Sequence, residues 1–178
     1  MKKLRITLAA PLFVLAMLAI WLFGMSIFAF GWHLRHGFYH TANGLKFRVP
    51  LFYQETRTAE TNQFSIQTFR SAISRKDASI TVKFSSDLSD RSTEPPSYEE
   101  AKSIGMTLLE RRTIEMSRRR GDCVVYGKND LTLNRNPGFS RLWITCRFGK
   151  NMETEFEGSA GAVPDFYSFL QTAKEVKQ

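Results

Sequence analysis

"METEFEGSAGAVPDFYSFLQTAKEVK", residues 152–177, changes its periodicity halfway along. Its first seven residues read as a β-strand. A glycine-containing turn follows, and Pro164 then sits near a helix N-terminus, where its missing N–H costs little. Phe166, Phe169, Leu170 and Ala173 recur at helical spacing, which predicts a helix over 163–177. A strand that passes through a tight turn into a helix with one apolar face implies a sheet with helices packed on it.

Working back from this stretch, the chain is rich in strands. "SRLWITCRF" (140–148) is a strand joined to the last one at Gly149-Lys150-Asn151. "CVVYG" (123–127) and "TIEMS" (113–117) are two more, with "RRRGD" (118–122) read as the turn between them. Ser97-Tyr98-Glu99-Glu100 has the form of a capping box, in which the Ser97 hydroxyl accepts from the Glu100 N–H. Two acids also suit the first turn of a helix. Ala101, Ile104 and Leu108 follow on one face, so a helix is expected to about Arg111. Period-2 alternation marks "LKFRV" (45–49), "FSIQTF" (64–69) and "SITVKF" (79–84) as strands. The polar, proline-bearing stretch 85–97 reads as a linker. The expected order is β-β-β-α-β-β-β-β-α, an antiparallel α+β sandwich with two packing helices.

The start of the chain has a different character. From Leu12 to Phe30 no residue is charged, and 19 such residues in a helix rise about 28 Å, close to a bilayer's hydrocarbon thickness. The run is longer than a signal-peptide core, and Ala29-Phe30-Gly31 is a poor cleavage site, so a retained signal anchor is expected. Lys2, Lys3 and Arg5 precede the run and only Arg35 follows it before Lys46, which orients the N-terminus to the cytoplasm. The division expected is a cytoplasmic 1–7, a transmembrane 8–32, a juxtamembrane collar 33–43 and an extracytoplasmic domain 44–177. That places the protein in a bacterial cell membrane, with its domain periplasmic or extracellular.

Of the 25 Lys plus Arg residues, four precede residue 41, which leaves 21 against 17 acids beyond it, a net +4. That is too mild for a nucleic-acid binder, and nucleic acid is the wrong partner outside the cell.

The short strand ending in "FRVPLFY", the two strands and helix after it, the meander and the closing "FEGSAGAVPDFYSFLQTAKEV" together resemble the PsbP-like and DcrB-like family of small extracytoplasmic domains. The resemblance spans residues 44–177 and lies in element order. It implies an accessory, adaptor or assembly role and supplies no catalytic residues.

Several constellations compete for chemistry. Cys123 and Cys146 both fall on expected strands, and outside the cytoplasm they can pair. Closing that loop contributes roughly 3 kcal/mol by chain entropy. A redox role lacks the C-x-x-C arrangement. His33, His36 and His40, the only histidines, recur at helical spacing within "WHLRHGFYH". With Gly37 between them and no acid before Glu55, they read with Trp32, Phe38 and Tyr39 as a membrane-interface collar, and no metal or cofactor is expected. Beyond residue 40 there is no imidazole to serve a nucleophile or a zinc ion. Asp87, Asp90, Glu94, Glu99 and Glu100 keep a second reading open, an anchored enzyme working through carboxylates. Arg118, Arg119 and Arg120 at an expected hairpin tip are the candidate contact for a protein partner or an anionic surface. The function these features predict is a membrane-tethered, non-catalytic binding or assembly protein, an immunity-type inhibitor being a special case.

Overall fold

The computed structural model describes residues 2–61, 63–73, 77–85, 102–103, 105–128 and 141–176, and within the first helix the side chains at 11–15, 17–18, 24 and 26–36. That helix, α1, runs Lys2–His36. Strands β1 (Tyr39–Ala42), β2 (Leu45–Arg48), β3 (Tyr53–Glu60), β4 (Phe64–Ser71) and β5 (Ser79–Ser85) follow. Then come β6 (Met106–Met116), β7 (Arg119–Lys128), β8 (Arg141–Phe148) and β9 (Met152–Gly158). A 3₁₀ turn at Ala160–Ala162 leads into α2 (Val163–Gln171), and β10 (Lys174–Glu175) comes last.

The α+β class with antiparallel sheets holds. Seven strands form one antiparallel sheet in the order β3-β4-β5-β9-β8-β7-β6, and β1-β2-β10 form a second, small one. Alternation decides what each face of the large sheet carries. Ile80, Val82 and Phe84 of β5, Ile144, Cys146 and Phe148 of β8, and Met152 and Phe156 of β9 are all buried in one cluster. Phe166, Phe169 and Leu170 of α2 and Leu45, Phe47 and Val49 from β2 onward close that core from above. Both edge strands carry an irregularity, between Glu55 and Arg57 in β3 and between Leu108 and Glu110 in β6. Such bulges twist an edge away from further pairing.

Four expectations need correction. The helix expected over 97–111 does not reach Arg111: Lys102 and Ser103 are helical, but Gly105 turns to φ +75 and Met106–Met116 is a strand. Only Gly tolerates that φ at low cost, and Met106 and Leu108 then pack, as Trp143 does, on the cluster of Val124 and Tyr126. The capping box at 97–100 lies outside the described residues. The closing helix stops at Gln171 rather than continuing to 177. The Thr172 hydroxyl donates to Phe169 O (2.8 Å) and accepts from the Arg48 N–H (3.1 Å), so the end of α2 is tied to β2. Lys174 and Glu175 then pair with Lys46 and Leu45. Strands β1 and β3 were not foreseen, and the turn after β6 is shorter than 118–122.

Among the described residues no helix is long and apolar enough to cross a membrane. In α1 the side chains of Leu12, Phe13, Val14, Leu15, Met17, Leu18, Ile27, Phe28 and Phe30 are exposed, whereas Ala29 is buried.

Candidate functional site

The hairpin between β6 and β7 turns through Ser117 and Arg118, at φ 49 and φ 66. Two-residue hairpins favour this mirror-image turn because its twist matches the strands, and they usually fill it with Asn-Gly. An L side chain in the left-handed region costs about 1–2 kcal/mol. The turn is clamped from outside by β10. The Glu175 N–H donates to Ser117 Oγ (3.1 Å), and Arg119 Nε and Nη2 donate to Glu175 Oε1 at 3.2 and 3.1 Å.

The three arginines therefore do not all occupy the hairpin tip. Arg118 alone occupies the turn, while Arg119 and Arg120 open β7 and point to opposite faces, Arg120 across from Glu115. All three are exposed. The Arg-Gly-Asp segment lies in a strand: a Cβ on Gly121 would come within 2.4 Å of the Phe148 ring, and Asp122 accepts from the Thr113 hydroxyl (3.1 Å).

The sheet face opposite the core carries a charge ladder that was not foreseen. Lys83 Nζ lies 2.7 Å from Glu155 Oε1 and 3.3 Å from Glu153 Oε1, and Arg147 Nη2 lies 3.7 Å from Glu153 Oε2. Glu153 is 2 % exposed. Burial raises its carboxyl above the usual carboxylate range, only partly offset by Lys83, and the neighbouring Glu155 raises it further. Burial would lower the Lys83 ammonium, but Glu155 and Glu153 outweigh it and the group is raised. The asymmetry is physical: the lysine faces two carboxylates, whereas Glu153 shares its lysine and is the more deeply buried. One signal was available, the alternating acids of "METEFEG", which β-pairing sets across from Lys83.

The histidine collar is partly interior. His33 is buried, with Nδ1 3.2 Å from Gly37 O and Nε2 3.1 Å from Pro50 O, so neither nitrogen is turned towards a metal. Trp32 stacks on His40 (4.9 Å between centroids) and His33 on Phe38 (4.8 Å). Burial lowers the His40 imidazole, against the pull of Glu55. These rings join α1 to the domain, and His36 and Tyr39 are the exposed members. Among the described residues no group of three or more His, Cys, Asp or Glu is placed to hold a metal ion. Asp87, Asp90, Glu94, Glu99 and Glu100 lie outside the described residues.

Cys123 and Cys146 are register partners on β7 and β8, with Cα atoms 4.0 Å apart and sulfurs at disulfide distance. Thiol labelling of the denatured, unreduced protein after export is expected to find neither cysteine free. Two labelled thiols would show that the pair stays reduced.

No protein-family model matches the chain, and no curated protein is found similar to it. Among solved structures it is similar to the solution structure of cyanobacterial PsbP (CyanoP) from Synechocystis sp. PCC 6803, at 11 % identity and a TM-score of 0.47, over 77 % of this chain and 91 % of that one. At that identity and score, nothing about ligands, partners or activity passes from one to the other.

Proposed function

We propose that the protein is a membrane-tethered, non-catalytic extracytoplasmic domain that binds a protein partner or assists an assembly, an inhibitor of the immunity type being one form of this. Its contact surface is the β6–β7 hairpin tip. The observation that carries the reading is Arg118, a residue held in a left-handed turn where glycine would be more stable. Strain of this kind concentrates at functional sites. The clamp by Glu175 fixes the backbone of the turn, so the point from which the Arg118 side chain projects is set before binding and only the side chain remains to be ordered. The tether is supported by the uncharged run Leu12–Phe30 and the exposed apolar side chains of α1.

Stability and capture should move in opposite directions. Arg118→Gly is expected to raise the melting temperature by about 2–4 °C, since relief of about 1 kcal/mol corresponds to such a shift in a domain of this size. A photoreactive residue at position 120, in the full chain in intact membranes, is expected to give one defined adduct. Arg118→Gly should weaken that adduct several-fold. An equally strong adduct would reduce the tip to a solvated turn. A fall in melting temperature would mean that Arg118 is held by structure rather than kept for contact.

A further inference from the structure

A groove of about 360 Å³ opens at one end of the large sheet, where chain turns distant in sequence meet. The β1–β2 turn brings Asn43, the end of β3 brings Glu60 and Thr61, and the β8–β9 turn brings Asn151. Gln63, Phe64 and Ser65 come from the start of β4, Phe84 and Ser85 from the end of β5, and Arg119 from the start of β7. The volume is at the small end of ligand pockets.

The polar groups around it divide into those already engaged and those that are not. Thr61 Oγ1 accepts from the backbone N–H of Gln63 (3.3 Å) and of Phe64 (3.1 Å), closing its own turn. The Arg119 guanidinium is held by Glu175. By contrast the side chains of Asn43, Glu60, Gln63, Ser65 and Asn151 have no hydrogen-bond or ion-pair partner among the described residues. Ser65 is the most enclosed of the five, at 7 % exposed, and it lines the groove. Its hydroxyl has no partner among the described residues and is left to bond water or a ligand in the groove.

We propose that the groove binds a neutral saccharide of one or two rings. Each of the three amides offers a donor and an acceptor in one plane, and the Glu60 carboxylate accepts two bonds, which matches pairs of neighbouring hydroxyls. An anion is disfavoured because the cation at the rim is engaged by Glu175. An acyl chain is disfavoured because the rim is amide and carboxylate. Phe64 and Phe84 also line the groove and supply the apolar surface that the C–H side of a pyranose would need. This inference does not depend on the hairpin tip, although Arg119 belongs to both.

The test uses the full chain in a detergent without a sugar headgroup. Glucose, N-acetylglucosamine, cellobiose and diacetylchitobiose are titrated by calorimetry and saturation-transfer NMR, with inorganic phosphate and glycylglycine alongside. At least one saccharide is expected to bind saturably. Glu60→Ala and Asn151→Ala should each weaken its Kd at least fivefold with the melting temperature unchanged, since both side chains are exposed and unpartnered. Arg118→Gly should leave saccharide affinity as it was, which separates this site from the partner surface. Absence of saturable binding by all four sugars overturns the proposal. Unchanged affinity in both groove variants does so too, as does binding of phosphate or glycylglycine that no sugar displaces.

Discussion

Phe69→Ala is expected to destabilise the domain by about 4 kcal/mol, within the range for large aromatic truncations in a close-packed core. Phe69 is 0 % exposed and stands where four elements meet. It lies edge-on to Phe47 of β2 (5.9 Å), against Phe169 of α2 (6.2 Å) and against His40 of β1 (5.4 Å). With Ala in its place the two sheets and α2 would line a void that none of them could close without leaving its strand register. Urea titration should show a lower midpoint with an unchanged slope, because the loss is of stability and not of compactness. Phe69→Leu should recover more than half of the loss. Phe28→Ala is the control, since that ring on α1 is 71 % exposed. A loss below about 1.5 kcal/mol for Phe69→Ala would mean that the aromatic cluster repacks and is not what joins the layers.

The second large effect lies on the opposite face. Lys83→Met is expected to cost about 3 kcal/mol at pH 7, the low end for breaking a buried ion pair, because Arg147 remains near Glu153. Its pH dependence follows from the direction of the Glu153 shift. A carboxyl raised above its unfolded value binds a proton more tightly in the native state. Native protein then holds more protons than unfolded protein between the two values, and stability falls as pH rises through that window. Removing Lys83 removes a group that favours the carboxylate, so the fall deepens. The gap between native and variant should be small near pH 4 and full near pH 7, read as melting temperature at constant ionic strength. Lys83→Met with Glu153→Gln should restore most of it. A gap independent of pH would show that the lysine acts through its methylene stem alone.

Much of the fold is legible in one dimension. The closing stretch signals its strand, its proline and its helix by local rules, and β9 and α2 begin where those rules place them. Cys123 and Cys146 fall on two alternating stretches that read as strands, and β7 and β8 set them in register. The antiparallel α+β class follows from runs of alternation broken by few helical ones.

Other features are illegible for specific reasons. β3 reads "YQETRTAE", with one buried residue at its start, because an edge strand packs little and so needs no alternation. In 104–109 the apolar spacing suits a helix as well as a strand, and pairing with β7 decides between them. The arginine run was visible, but which arginine occupies the turn depends on the register of Met116 with Arg119, a property of two strands and not of either.

By itself, then, the sequence determined periodicity: the uncharged N-terminal run, the alternating strands, the aromatic face of α2 and two cysteines on pairable strands. These depend on neighbours within a few positions, where backbone geometry alone assigns a face. Only the tertiary structure decided that Glu153 is buried beside Lys83, that Glu175 clamps the Ser117–Arg118 turn, and that Asn43, Glu60, Ser65 and Asn151 share one groove. Those groups are brought together by strand order and register across the whole chain, and burial, which changes what a charge or hydroxyl can do, exists only once the distant segments have packed.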